Sequence, residues 1–219
     1  NEIAQSCCAN KTDKFANYWM HNGHLMVEGE KMSKSLGNFF TVHDLLKEVP
    51  GEALRFYMLS SQYRSPFDFT KEGVKEAKAT LDRFYTALRQ NKDVASENVA
   101  APDAFMDALK DDLNTPLAIS HLHELLSEFN KAPNSLTKGR LLAAAHLLGV
   151  LCADADEWLK GALGDDNALD ESLIQAKIDE RITAKANKDY ARADQIRKEL
   201  DDQGIVLEDG PQGTSWKRK

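Results

Sequence analysis

Apolar residues recur every three or four positions through the middle of the chain, and this is the spacing of one helix face. Thr70 and Thr115 are placed to cap two of these helices, with Pro116 at the first helical position of the second. Short polar segments separate the apolar stripes, so we expect an antiparallel helical bundle over residues 51–163. The stripes are Val74, Ala77, Leu81, Phe84 and Leu88; Phe105, Leu109 and Leu113; Ala118, Leu122, Leu125 and Phe129; and Leu141, Leu142, Ala145, Leu148 and Leu151.

The segment 1–50 has a mixed pattern. A short helical stretch opens it, and the run 24–27 is apolar and strand-like. Thr41 has an acidic residue three positions later, which is typical of a helix start. Pro50 and the glycine after it then end that helix. We therefore predict a small unit of mixed structure that precedes the bundle.

The segment 168–219 also mixes helices and strands. The pattern predicts helices over 171–186 and 190–203, the second capped by Asp189. The residues after them predict two short strands around an Asp-Gly-Pro turn, at 205–207 and 214–216. The chain as a whole is therefore predicted to be mainly α, with a small α+β domain at 168–219.

Composition narrows the class of protein. The 219 residues are 42% hydrophobic, and no apolar run approaches the ~20 residues that cross a bilayer, so no membrane contact is expected. Cys7, Cys8 and Cys152 form neither a disulfide framework nor a Cys-x-x-Cys pattern, which favours the cytoplasm. The net charge of −7 argues against a general polyanion-binding surface, so any contact with nucleic acid is local. We expect a monomer.

The stretch Lys31-Met32-Ser33-Lys34-Ser35 carries the clearest chemistry. Its two lysines and two hydroxyls suit one polyphosphate, because ammonium groups and short donors both bind phosphate oxygens. Glycines at 29 and 37 would allow such a loop to move during a reaction and to stabilise charge on a leaving pyrophosphate. On composition alone, a solvated basic turn is the alternative.

Histidines do not predict a metal site. The spacing of His21, His24 and His43 gives no convergent ligand set, so we interpret them as surface or packing residues. His121 and His123 lie two positions apart on a predicted helix and cannot share a face. We expect both to face solvent.

Candidate RNA-binding residues concentrate in the segment 168–219. Proteins read RNA mostly on single-stranded bases, through aromatic stacking and hydrogen bonds to base edges. The alternative is that the tryptophan fills a small core and that the aspartates cap helices and turns. A separate arginine in an aromatic turn, Arg64, is a candidate contact to nucleic-acid phosphate. The candidates in 168–219 are Tyr190 and Trp216 for stacking, Lys185 and Arg192 for charge, and Asp194 and Asp209 as acceptors for guanine or cytosine amino groups.

The Lys-Met-Ser-Lys-Ser stretch resembles the signature loop of class I aminoacyl-tRNA synthetases. Its surroundings, residues 18–21 and 30–40, and the final Asp-Gly-Pro-Gln-Gly-Thr are similar to the cysteinyl-tRNA synthetases in particular. The resemblance implies that residues 1–50 end an α/β catalytic domain, that 51–163 form a helical stem-contact and bundle domain, and that 168–219 bind the anticodon. It also implies ATP-dependent ligation of L-cysteine to tRNA(Cys) through a cysteinyl-adenylate. Lys34 would bind ATP, supplied with Mg, and stabilise the transition state, while Lys31 and Ser33 shape the loop.

The resemblance further implies one zinc ion per full-length subunit. Glu2 falls where that family has a glutamate ligand, and the other ligands would precede residue 1. The nucleotide-binding half and its His-Ile-Gly-His signature are absent from this sequence, so the chain alone is not expected to aminoacylate. Two alternatives stay open: a non-catalytic tRNA-binding module, and a paralogue that ligates cysteine to an amino-sugar. The paralogue should lack the RNA-reading tail.

Overall fold

A computed structural model describes residues 1–32, 40–161, 171–210 and 213–218. None of the helices in these ranges is long and apolar enough to span a membrane. The chain begins with α1, and two short strands form a hairpin after it. A third strand pairs parallel with the first, giving the sheet order β2-β1-β3. The bounds are α1 Glu2–Asn10, β1 Leu25–Val27, β2 Glu30–Lys31 and β3 Phe67–Phe69.

The described residues between β2 and β3 form two helices. The first, α2 Val42–Leu45, is capped as predicted, because the Thr41 side chain accepts a hydrogen bond from the Asp44 N–H at 3.1 Å. The second is α3 Gly51–Leu59. A small apolar cluster joins the sheet to α3 and to the helix that follows β3, and its buried members are Val27, Leu54, Phe69 and Val74.

The helical bundle occupies the middle of the chain, and the predominantly helical fold is confirmed. Its members bury most of the predicted stripes in one continuous apolar core, which includes Leu81, Phe84, Phe105, Leu122 and Phe129. The prediction is wrong for Leu113, which lies beyond the end of α5 and is 46% exposed. Thr70 caps the longest helix as predicted, accepting from the Gly73 N–H at 3.0 Å. The bundle helices are α4 Lys71–Gln90, α5 Asp103–Lys110, α6 Thr115–Lys131, α7 Ser135–Leu148 and α8 Ala155–Lys160.

Two local predictions about α6 are wrong. The N-cap is Asn114 instead of Thr115, because the Asn114 side chain accepts from the Leu117 N–H at 3.2 Å; Thr115 is the first helical residue. His123 does not face solvent freely: its ring lies 5.2 Å from the ring of Phe84 on α4. Burial lowers the pKa of His123.

A polar network joins α3, α4 and the segment that follows α7. The Glu52 carboxylate accepts from the Tyr85 hydroxyl at 2.9 Å and from the Leu151 N–H at 2.9 Å. The same hydroxyl accepts from the Ala153 N–H at 3.2 Å. Tyr85 is fully buried and stacks on Trp158 with ring centroids 4.5 Å apart. The network therefore satisfies polar groups that the apolar core would otherwise leave unpaired.

The C-terminal domain packs two helices against a two-stranded antiparallel hairpin. Asp189 caps the second helix as predicted, accepting from the Arg192 N–H at 3.1 Å. The strands are longer than predicted, with Leu207 paired to Trp216. The elements are α9 Glu171–Ala186, α10 Tyr190–Asp202, β4 Ile205–Gly210 and β5 Gly213–Arg218. Their apolar core is Ile174, Ile178, Ile196, Leu200, Ile205, Leu207 and Trp216.

Candidate functional site

Part of the lysine- and serine-rich stretch lies outside the described residues, which omit 33–39; Ser33 and Lys34 are therefore untested predictions. Lys31 is exposed at the end of β2, paired in register with Met26. Met32 and Phe40, which flank the stretch, both pack against the cluster around Val27. Both ends of the candidate phosphate loop therefore pack against the same apolar cluster.

Glu2 lies on the first turn of α1, and its carboxylate is exposed 3.6 Å from the N-terminal amine. Among the described residues, no group of three or more His, Cys, Asp or Glu side chains could hold a metal ion. The described part of the chain fits zinc at most as the source of one ligand, and the role of Glu2 stays a prediction.

Arg64 is held by an ion pair. Its Nε lies 2.7 Å from Asp112 Oδ2, and the Tyr63 hydroxyl donates to the other oxygen of the same carboxylate at 2.7 Å. The guanidinium also lies 5.1 Å from the Tyr63 ring centroid. These contacts join the turn before β3 to the α5–α6 connection. A phosphate contact by Arg64 would compete with Asp112.

Asp209 is the most heavily bonded candidate. Arg181 donates from Nη1 to Oδ1 and from Nη2 to Oδ2, each at 2.9 Å. Thr214 Oγ1 donates to Oδ1 at 2.7 Å, and Lys185 Nζ donates to Oδ2 at 3.2 Å. The Arg181 guanidinium and the Thr214 hydroxyl hold the pKa of Asp209 well below its usual range. The carboxylate is therefore charged at neutral pH and lies at the hairpin end where β4 and β5 meet.

The other candidates of this domain are either bonded to another side chain or exposed to solvent. Arg192 is occupied, because its Nη2 lies 2.7 Å from Glu180 Oε1. Tyr190, at the start of α10, is 63% exposed and offers a free ring face for stacking. Asp194 is exposed on α10 and close enough to Arg181 to raise the pKa of that guanidinium. The structure thus places Arg181 and Lys185 together on the Asp209 carboxylate.

Trp216 is only 5% exposed and belongs to the core of the C-terminal domain. Lys160 Nζ and the Arg218 guanidinium lie 5.6 and 5.7 Å from its ring centroid. This is the core-filling role that the sequence left open as an alternative. Stacking of a base on Trp216 stays a prediction, and it would require the ring to leave this core.

The hairpin is attached to the bundle through α4. Arg89, nearly buried, donates to the Trp216 carbonyl at 3.1 Å and pairs with Glu208. A cleft of about 610 Å³ lies beside this contact, between the end of α4 and the hairpin. Asp209 and Lys92 are among its lining residues. A ligand in the cleft would touch both the bundle and the C-terminal domain.

Sequence reasoning missed Arg181 and Arg89. Arg181 follows Ile174 and Ile178 at helical spacing, so it occupies a core position of α9, and a charge in an apolar stripe was the available signal. Arg89 gave no comparable signal, because its partners lie more than a hundred residues later in the chain.

Comparison with known families gives two matches. The tRNA synthetases class I (C) catalytic domain matches residues 1–79, and the DALR domain matches residues 104–154. A solved LeuRS–tRNA–LeuAMS complex from Agrobacterium radiobacter is 21% identical, with a TM-score of 0.48 over 68% of this chain and 23% of that one.

Curated relatives match the chain from end to end. A cysteine–tRNA ligase from Paramagnetospirillum magneticum is 55% identical over 224 residues, which are 100% of this chain and 48% of the relative. One from Rhodospirillum centenum is 56% identical over 221 residues, again 100% of this chain and 48% of the relative. One from Caulobacter vibrioides is 48% identical over 227 residues with the same coverage. The chain spans about half the length of these relatives.

Proposed function

We propose that this chain belongs to the cysteine–tRNA ligase family of class I aminoacyl-tRNA synthetases and is the C-terminal part of an enzyme that ligates L-cysteine to tRNA(Cys). The reaction would consume ATP and pass through a cysteinyl-adenylate. The observation that carries the proposal is identity of 48–56% over essentially the whole chain to relatives of that one name.

In this proposal the phosphate chemistry belongs to the loop that follows β2. Lys34 binds the ATP phosphates, which arrive with Mg, and stabilises charge on the departing pyrophosphate. Lys31 and Ser33 shape the loop, and the packing of Met32 and Phe40 on one cluster supports a fixed position for both of its ends. Glu2 would supply one zinc ligand, with the remaining ligands outside this chain.

RNA binding is assigned to the C-terminal domain. Tyr190 offers a stacking face, Lys185 and Asp209 form an exposed pair of mixed charge, and Asp194 is proposed as a further exposed acceptor on α10. Mixed charge suits base edges better than a uniformly basic surface does, because an aspartate accepts from the amino groups of bases. Arg64 and Arg192 are proposed as phosphate contacts once their carboxylate partners are displaced, and Trp216 as a second stacking residue.

The proposed domains are 1–50 for the end of the catalytic domain, 51–163 for the helical domain and 168–219 for the anticodon-binding domain. The sheet crosses the first boundary, since β3 pairs with β1. The C-terminal domain favours a tRNA ligase over the amino-sugar ligase, because the curated tRNA ligases match this part of the chain too. We propose a cytoplasmic monomer.

Electrophoretic mobility shift with this chain tests the RNA assignment. The chain should bind tRNA with a GCA anticodon more tightly than tRNA of other anticodons, by about tenfold or more. Poly(A) RNA of equal length serves as the control for charge alone. Equal affinity for all tRNAs would refute anticodon binding, and no binding at all would favour the amino-sugar ligase.

A further inference from the structure

The Asp209 carboxylate has no acceptor capacity left in this structure. A carboxylate has about four lone-pair positions. Oδ1 takes Arg181 and Thr214, and Oδ2 takes Arg181 and Lys185. An RNA base therefore gains a bond to Asp209 only if one of these donors leaves. The four donors differ greatly in how easily they can do so.

Lys185 is the donor best placed to leave. Its bond is the longest of the four at 3.2 Å, and its side chain is 43% exposed on a flexible stem. The Asp209 side chain is 48% exposed, whereas the Arg181 side chain is only 4% exposed. A base that approaches from solvent thus meets Lys185 first and cannot displace Arg181. The released ammonium would remain beside the RNA, where a backbone phosphate can bind it.

Burial of the Arg181 side chain costs folding free energy. Its Nε is buried and has no hydrogen-bond partner among the described residues. Buried ion pairs are often replaced by apolar residues with no loss of stability, so stability alone gives little reason for a charge here. The planar guanidinium of Arg181 has one effect that an apolar side chain cannot have. Its two Nη groups hold both oxygens of the exposed Asp209 carboxylate in a fixed orientation.

We infer that Arg181 is the positioning residue for Asp209: its buried fork holds the exposed carboxylate in the orientation that accepts a base amino group, and Lys185 is the partner that the base displaces. This inference rests on the proposed anticodon binding. It assigns different tasks to two cations of the same helix. Arg181 determines which base is accepted, and Lys185 adds affinity that does not depend on the base.

The test compares variants of the full chain for binding to RNA hairpins that carry GCA or single-base changes of it. Arg181→Lys keeps the charge and removes the fork. Lys185→Gln removes only the displaceable cation. Ile178→Val is the matched control. Ile178 lies on the same helix as Arg181, and its truncation weakens the apolar core while all four hydrogen bonds to Asp209 are kept. Circular dichroism and thermal melting establish that each variant is folded at the assay temperature.

Wild type should prefer GCA by about tenfold or more, and Arg181→Lys should reduce that preference to about twofold or less with the salt dependence unchanged. Lys185→Gln should weaken binding to every hairpin alike and lower the salt slope by about one, with the preference kept. Ile178→Val should behave as wild type.

A folded Arg181→Lys that keeps its full preference overturns the inference and leaves anticodon binding intact. Equal loss of preference in Ile178→Val also overturns it, because the effect would then be one of stability. If Arg181→Lys does not fold, Lys185→Gln decides: loss of preference in that variant contradicts the division of tasks. A wild-type chain without any preference refutes the proposed function itself.

Discussion

Replacing Glu52 by alanine should destabilise the bundle more than any change at an exposed acid. The carboxylate accepts from the Tyr85 hydroxyl and from the Leu151 N–H, and both donors are buried. Truncation leaves both without this acceptor. An unsatisfied buried donor costs about 1–3 kcal/mol, so the two together should lower the unfolding free energy by about 3 kcal/mol.

Urea unfolding at neutral pH, followed by circular dichroism, measures this loss. Glu52→Gln keeps one acceptor oxygen and should cost about half as much. Asp107→Ala is the matched control, because Asp107 forms only an exposed ion pair with Lys110 and its removal should change the stability little. Tyr85→Phe combined with Glu52→Ala should cost less than the sum of the single changes, since both remove the same bond.

Unfolding of Glu52→Ala at the urea concentration of wild type would contradict this role of Glu52. An Asp107→Ala variant that is equally destabilised would also contradict it, because burial would then have no part in the effect. Strict additivity of the Tyr85 and Glu52 changes would show that the two groups do not interact.

Three further predictions concern the loop, the bundle and the hairpin. In the enzyme that contains this chain, Lys34→Ala should slow cysteine-dependent ATP–pyrophosphate exchange about 10²–10³-fold with cysteine affinity little changed, and an unchanged rate would contradict its role. Burial lowers the pKa of His123, so the unfolded state takes up the proton first and stability falls as pH drops below about 6.5. His123→Leu should therefore reduce the loss of melting temperature between about pH 7.5 and about pH 5; a loss equal to that of wild type would exclude His123 as the cause. Arg89→Met should speed amide hydrogen exchange around Trp216 and leave exchange in α6 unchanged; full protection at Trp216 would show that Arg89 does not hold the hairpin.

Periodicity was sufficient for the long helices of the bundle because it follows burial directly, and the stripes through Leu81 and Leu122 are indeed buried. The short helix α8 was not predicted, because its six residues are too few to show a repeat. Cap positions were less certain. Asp112 and Leu113 both adopt left-handed backbone angles, with φ of 51° and 54°, and the chain enters α6 with Asn114 as the cap. Nothing in a helical pattern indicates this turn.

The candidate site was predictable where its residues are neighbours in sequence, and less so where the fold brings them together. Asp209 was identified as an acceptor, but its partner Arg181 lies 28 positions earlier. The burial of Trp216 was one of two interpretations, and only the packing of the hairpin on α9 and α10 distinguishes them. Similarly, the environment of His123 depends on Phe84, which belongs to another helix.

The parallel pairing of β1 with β3 determines where the chain can be shortened. Leu25, Met26 and Val27 take as partners the residues 67–69, which come after α3 in the sequence. A truncation anywhere between 50 and 67 would strip this partner from β1 and expose an unpaired apolar strand edge, which promotes aggregation. A fragment that keeps this pairing must therefore extend beyond Val74, where the shared cluster is complete. The end of the sheet, more than the start of the helices, sets the shortest piece that keeps the surroundings of the candidate phosphate loop.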